Sequence, residues 1–512
     1  MNCPICGSVE PPARLREARA WRFWERDDGA CPACVQESLL RTLLDNGHEA
    51  LHRSAQAVWP LDAESAFGAL PTPLRLHAHP RFRGRGVTIA IIDSGFASHA
   101  DLVMPQNRVR AWVDASRDPV AFRLFAPDER PDWPDANGSC TWMWHGTMTS
   151  VVAAGNGFLS HGLYRGLASE ADVVLISARE RDGRISNTTI VRALEWLRIH
   201  GPALGVGVVN LSVSGDPVVF GEPDIVNEAV AALDALGMVI VAAAGNSGER
   251  RLVPPASAPR AITVGGIDDN NSFDHEAIRL WNSNYGTTQD GLPKPELVAP
   301  SMWVAAPVLP GSPVALRAAE LFRVRREGQR AGDVEIDSLK LITEHYQHVE
   351  GTSFAAPVVA STVACMIEAN PHLTPSIVRD ILRRSATPVS GAPSERQGAG
   401  ALEAGRAVAA AASESHRMLT PSPAHGPDGV SFHLHDHDAT AVHVCGSWDD
   451  WESPGIPLSS CAPGWWRSAP VRLGKGRYAY KFRIDQSIWI DDPANTRKQP
   501  DGVGGFNAVF EI

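Results

Sequence analysis

The sequence predicts an α/β fold: a parallel-sheet domain, with an all-β sandwich behind it and a small metal-binding segment in front. Three observations predict it. Between residues 87 and 267, five apolar β-branched runs alternate with helical runs, the signature of a parallel sheet covered on both faces. After residue 429, short strand-like runs rich in Trp follow one another, separated by turn formers, as in a small sandwich. Before residue 57 stand two C-x-x-C pairs. At 512 residues the chain is too long for one ordinary core.

Composition excludes several classes. With 44% hydrophobic and 21% charged residues the chain reads as soluble and globular. A net charge of -11 and the lack of a basic run argue against nucleic acid as a partner. No uncharged apolar stretch approaches 18 residues, so no membrane span is expected. The N-terminus, MNCPICGSVEPPARLREARAW, lacks the basic start and apolar core of a secretory signal. The expectation is a cytoplasmic protein with reduced thiols.

Residues 1–57 come first. Cys3-Pro-Ile-Cys6 and Cys31-Pro-Ala-Cys34 can each turn two sulfurs toward one tetrahedral ion, the geometry of a four-thiolate structural zinc site. The gap of 24 residues between the pairs slightly exceeds the usual zinc-ribbon range. Two disulfides or a redox pair fit the same spacing. Cys140, Cys365, Cys445 and Cys461 are scattered and are expected as buried free thiols. Residues 35–57 have helical spacing through Leu39, Leu40, Leu43 and Leu44. Residues 58–84, interrupted by Pro60, Pro71, Pro73 and Pro80, read as a connector.

From Gly86 onward the alternation begins. Buried parallel strands are expected at 87–93, 171–177, 205–212, 237–246 and 262–267, with helices at 186–200 and 223–237 between them. In such sheets the chemistry gathers at the carboxyl ends of strands. Asp93 closes the first strand. His145 opens a helix, Asn246 follows the fourth strand, and Ser353 opens another helix in GTSFAAP. A serine hydroxyl needs a base within hydrogen-bond reach, and the base needs an orienting carboxylate. An amide aimed at the developing oxyanion completes the set. Taken singly, each residue also fits a plainer role as a cap or turn former.

The segments IAIIDSGFASHADL, HGTMTSVVAAG, VAAAGNSG and GTSFAAPVVA, in this order, are similar to the motifs of subtilisin-like serine proteases, which share the chain order Asp, His, Ser. The resemblance covers about 84–412 and implies roles. Ser353 would be the nucleophile, His145 the base and Asp93 its orienting carboxylate. Asn246 and the Ser353 N–H would bind the oxyanion. Ser212, Val213, Ser214 and Gly215 resemble the edge that pairs with an extended substrate. Ala243, Ala244 and Gly245 resemble one wall of the pocket for the side chain before the cut, with room for a sizeable apolar group. The resemblance also implies calcium, for which Asp101 falls at one ligand position, although the loop after Gly155 departs from the pattern. Met148 stands where relatives often carry His. An aromatic-rich stretch between Asp93 and His145 and a charged insertion at 308–349 match nothing in the pattern. Pro357 is expected in the first turn of the Ser353 helix, where its lost N–H is tolerated.

A helix at 374–386 and an alanine-rich run close this part, taken as 85–413. Residues 414–429 read as a Pro-rich linker and 430–512 as the sandwich. There VCGSWDDW, YAYKFRID, WIDDP and GGFNAVFEI resemble the glycogen-binding type of carbohydrate module. That resemblance implies α-glucan as a partner, with Trp451 and Trp489 stacking on sugar rings and Lys481 and Asn507 bonding to hydroxyls. The same tryptophans also fit a core or docking role. The alternating histidines of HLHDHD, 433–438, read as a solvated strand face. The expected function is a serine endopeptidase acting on protein or peptide substrates, directed by its last module to glycogen-associated proteins. The competing reading is a glucan-binding scaffold with a latent or inactive protease domain.

Overall fold

The computed structural model describes residues 36, 69–133, 141–218, 224–273, 275–327, 332–414, 422–436, 439–451, 454–462, 465–485, 488–492, 494–495, 497–502 and 506–512. Its central sheet is built from apolar strands: β1 (Thr88–Asp93), β2 (Val109–Asp114), β3 (Ala121–Leu124), β4 (Asp172–Ser177), β5 (Val206–Leu211), β6 (Val239–Ala243), β7 (Ile262–Asp268) and β8 (Leu297–Pro300). Their spatial order is β8–β7–β6–β5–β1–β4–β2–β3. All pair in parallel except β3, which runs antiparallel to β2 at the edge.

Side-chain alternation divides the core between the two faces. Ile89, Ile91, Val173, Leu175 and Val241 face α1 (Trp144–Ala154) and α5 (Thr352–Ala369). Ala90, Ile92, Val174, Ile176 and Val209 face α2 (Asn187–His200) and α3 (Ile225–Ala235). α5 runs against β5, β6, β7 and β8. With a mean hydropathy of 1.4 over 18 residues it is apolar enough to cross a membrane by composition. The expectation that no run approaches this length missed it, and its burial in the core accounts for the composition.

Three regions depart from expectation. The latter part of the proline-rich connector is tied down. Leu70 and Leu74 are fully buried, and Arg75 makes two 2.8 Å bonds to the Asp269 carboxylate and further bonds to the Met302 and Trp303 carbonyls. The aromatic-rich stretch supplies β2 and β3; Ala111 and Val113 of β2 join the core on the α2 and α3 side, while Val109, across a register shift, joins the core on the other. The 308–349 insertion has a small core of its own, formed by α4 (Pro313–Arg326) and its neighbours through Val308, Leu321, Phe322, Ile336 and Leu341. A hairpin of β9 (Val304–Pro307) and β10 (Tyr346–Val349) joins this insertion to α1. The helix expected at 374–386 forms as α6 (Pro375–Ser385), and the alanine-rich run supplies a further helix, α7 (Ala404–Ser413).

The C-terminal part is antiparallel. Its strands are β11 (His433–His435), β12 (Val442–Gly446), β13 (Ile456–Ala462), β14 (Trp465–Ser468), β15 (Arg477–Ile484), β16 (Ile488–Ile490), β17 (Lys498–Pro500) and β18 (Phe506–Glu511). They follow the order β11–β14–β13–β12–β15–β18–β17, with β16 on β15. Phe432, Val444, Tyr480, Phe482 and Phe510 form the core, against which Trp448 and Trp466 pack. Two expectations fail here. His433 is buried, so the HLHDHD strand is not a solvated face at that position; its backbone N–H donates to Ser422 Oγ at 3.1 Å. Cys461 is exposed, at an irregularity where β13 loses register with β14. Cys365 and Cys445 are buried free thiols as expected, and Cys140 lies outside the described residues.

Arg75→Met would leave the Asp269 carboxylate buried without its partner. The expected loss is about 3–5 kcal/mol of unfolding free energy, read as a lowered midpoint in chemical denaturation.

Candidate active site

The carboxyl end of β1 delivers Asp93 into a site where its side chain is only 1% exposed. Burying a carboxylate is costly unless donors surround it. Its Oδ1 accepts the Ser94 N–H at 2.6 Å and lies 2.7 Å from His145 Nδ1. Its Oδ2 accepts Thr149 Oγ1–H at 2.9 Å. With Ser94 Oγ–H at 3.1 Å from Oδ1, four donors from two elements therefore meet one side chain. The second ring nitrogen of His145 is left for other chemistry.

Gly146 makes the approach of α1 to β1 feasible. A Cβ at this position would stand 2.3 Å from the Gly95 carbonyl oxygen and 3.1 Å from Asp93 Cβ. The His145 side chain is 22% exposed, with the exposed Trp144 edge-on at 5.1 Å between ring centroids. Burial pulls the imidazole pKa down more strongly than any other single influence. The Asp93 charge and hydrogen bond together outweigh it and hold the pKa above the ordinary histidine value.

The other half of the site is the start of α5. Gly351 precedes it at φ +131°, a conformation that favours glycine. Ser353, half-buried, occupies the first turn. The Phe354 ring lies 5.6 Å from the His145 ring, which brings the two helix starts together. Ser353 Oγ makes no hydrogen bond to His145 among the described residues, and such bonds often tighten only when substrate binds. Asn246 follows β6. Its Oδ1 accepts the Thr352 N–H at 3.0 Å and Thr352 Oγ1–H at 2.7 Å, which orients Nδ2 the other way, over Gly351. The amide is thus held with its donors turned away from Thr352.

Pro357 is the sixth residue of α5, in its second turn, not in the first turn as expected. Its missing N–H would have bonded to the carbonyl of Ser353, four residues earlier. Ser212 Oγ–H takes that place and donates to the Ser353 carbonyl at 2.8 Å, while accepting from Asn210 Nδ2 at 2.9 Å. Ser212 is therefore a brace for the α5 start. The Gly215 N–H is given to the Pro254 carbonyl at 2.8 Å. Of the expected edge, Val213 and Ser214 keep backbone donors without a backbone partner among the described residues. Ala243 and Ala244 are buried at the end of β6. Gly245 donates its N–H to Thr352 Oγ1 at 3.1 Å and packs on Asn284, which also caps the Ser247 N–H.

Sequence reasoning missed several supporting residues. Thr149 had a signal, since it lies four residues after His145 on the same helix face. Thr352 and Asn284 carried none beyond their neighbourhood. Asp101, the expected calcium ligand, is fully buried, with the Leu159 N–H at 3.1 Å on one oxygen and Tyr346 Oη–H at 2.6 Å on the other. Among the described residues no group of three or more His, Cys, Asp or Glu is placed to hold a metal. Cys3, Cys6, Cys31 and Cys34 lie outside the described residues. Met148 is buried, with Gln347 Nε2 at 4.0 Å from its sulfur, so the insertion occupies its surroundings.

In the C-terminal part, Lys481 on β15 and Asn507 on β18 each stand next to the Tyr480–Ala508 register pair, and Trp489 on β16 pairs with Arg483 two residues along. All three point away from the core that Tyr480, Phe482 and Ala508 enter. Lys481 Nζ bonds to Asp501 at 2.5 Å. Trp451 sits in the turn after β12 at φ +64°. It does not line the cleft that Lys481 and Trp489 border.

With this geometry in view, comparison with known proteins is informative. The subtilase family model matches residues 84–400. The chain belongs to the subtilase family of serine-type endopeptidases. Serine protease AprX of Bacillus subtilis (strain 168) is 28% identical over 337 residues, covering 64% of this chain and 66% of that protein. Subtilisin BL of Lederbergia lenta is 28% identical over 312 residues, covering 60% and 87%. Alkaline elastase YaB of Bacillus sp. (strain YaB) is 27% identical over 307 residues, covering 60% and 61%. The chain thus spans just under two thirds of AprX and of the elastase, and most of subtilisin BL. A second family model, described as the glycogen recognition site of AMP-activated protein kinase, matches residues 431–512.

In this subtilase, Gly146→Ala forces α1 away from β1, because the obstructing atom is a backbone oxygen. A displacement of about 1 Å at His145 is expected to lower kcat by about 10²-fold, with a retained circular-dichroism spectrum as the control for folding.

Proposed function

We propose that this subtilase hydrolyses peptide bonds through Asp93, His145 and Ser353 by way of an acyl-enzyme. The observation that carries the reading is the 2.7 Å contact between Asp93 and His145 beside the α5 start. Ser353 Oγ attacks the scissile carbonyl carbon and gives its proton to His145 Nε2. Asp93 holds the imidazole in the required tautomer and stabilises the imidazolium. The oxyanion accepts from Asn246 Nδ2 and from the Ser353 N–H, one of the donors a helix start leaves without an intrahelical acceptor. Collapse transfers the proton from His145 to the leaving amine, and water repeats the sequence on the acyl-enzyme.

The substrate reading follows from the same surface. The amides of Val213 and Ser214 offer an extended peptide an edge, and Ala243, Ala244 and Gly245 border the side chain before the cut. The match of residues 431–512 to a glycogen-recognition model supports α-glucan as a second ligand. So does the shared outward face of Lys481, Asn507 and Trp489. On this reading the module directs proteolysis toward glucan-associated proteins.

A serine-reactive phosphonate probe tests the enzyme reading. Wild type is expected to label and Ser353→Ala not to. An unlabelled wild type would refute it. Asn246→Ala is expected to lower kcat by about 10²–10³-fold. His145 must be neutral to act as base, and its pKa is raised. Activity therefore rises with pH through a value above the ordinary ~6.5 of histidine. Asp93→Asn removes the raising influence, so the acid limb moves to lower pH while kcat falls by about 10⁴-fold. An acid limb that stays in place in this variant would separate Asp93 from the titration.

A further inference from the structure

The subtilase part and the C-terminal module meet across a cleft of about 640 Å³. One wall belongs to the module and includes Trp489, Lys481 and Phe506. The other belongs to the subtilase part and includes Arg379 and Arg383 on α6, with Glu395 just beyond. The two walls are joined at the base. Arg260 donates to the Asp491 carbonyl at 2.9 Å and pairs with its carboxylate, with side-chain exposures of 11% and 8%. Arg379 in turn donates to the Arg260 carbonyl at 2.6 Å. The Asp491 carboxylate also pairs with Lys498, so the two parts are joined through a buried ionic network.

The chemistry of the walls selects a ligand class. The module side offers an indole, with the Arg483 guanidinium 6.0 Å from its ring centroid, and an ammonium. The subtilase side offers planar guanidinium and carboxylate groups of both signs. This mixture has no bias toward an anion. Planar forked groups suit pairs of neighbouring hydroxyls, and an aromatic face suits the C–H side of a sugar ring. The volume lies within the usual range for ligand clefts.

We propose that an α-glucan oligosaccharide binds in this cleft and is held from both sides, with Arg383 and Glu395 of the subtilase part completing the module's sugar site. This rests on the reading of residues 431–512 as a glucan-binding module, and goes beyond it by giving the protease a share of the site. A ligand that touches both walls binds the docked arrangement better than any separated one. Glucan therefore fixes the module on the protease by mass action. The oligosaccharide acts as a clamp between the two parts as well as an anchor.

Isothermal titration of the full-length protein with maltoheptaose tests this. Wild type is expected to bind, and Trp489→Ala to lose binding. Arg383→Ala and Glu395→Gln are each expected to weaken it roughly tenfold, the effect of one hydrogen bond to a charged group. Both residues are exposed, and an unchanged thermal unfolding midpoint controls for folding. If Trp489→Ala abolishes binding while Arg383→Ala and Glu395→Gln bind as wild type does, the shared site is overturned and the glucan reading stands. If wild type binds and none of the three variants changes it, the sugar sits elsewhere and the cleft is overturned. If wild type does not bind maltoheptaose, the glucan reading falls, and the shared site with it.

Discussion

The burial of one carboxylate organises the catalytic half of this molecule. Asp93 ends a strand whose other residues are fully enclosed by the core. A charge delivered there must find donors or stay neutral. The donors come from the turn that leaves β1 and from the first two turns of α1. That requirement sets the distance between strand and helix, and the distance in turn requires glycine at 146. The His145 imidazole is positioned as a by-product of satisfying the Asp93 carboxylate.

The remaining parts support that contact from outside. The hairpin of β9 and β10 lies along α1, and Leu309 from the inserted segment packs with Trp142 and Met143 just before it. Tyr346, at the base of the hairpin, is fully buried and donates to Asp101. The insertion thus acts as a buttress behind the histidine helix. α5 reaches the same place from the opposite end of the sheet, because parallel strands bring their carboxyl ends to one edge.

Much of this was legible in the sequence. The five strands expected from continuous apolar runs formed within two or three residues of their expected limits, since nothing but burial on both faces explains such runs. Asp93, His145, Asn246 and Ser353 stand out in the sequence because small residues and strand ends surround them. What escaped was of another kind. β2 carries Arg110, Trp112 and Asp114 between its buried positions, so its apolar signal was diluted. The connector looked irregular because prolines broke its periodicity, yet Arg75 anchors it through a partner 194 residues away. Tryptophan count alone could not separate Trp448 and Trp466, which pack on the core, from Trp489, which borders a cleft. Each miss depends on a contact distant in sequence, which local pattern does not encode.

Pro357 shows how much one absent hydrogen can settle. Because the helix cannot use the Ser353 carbonyl, Ser212 does, and Ser212 directly follows the end of β5. The segment after β5 and the turn bearing the Ser353 hydroxyl are consequently one joint. On the proposed reading, a chain seated on Val213 and Ser214 would be registered against Ser353 through Ser212 alone, and alignment of the reacting atoms would be inherited from docking.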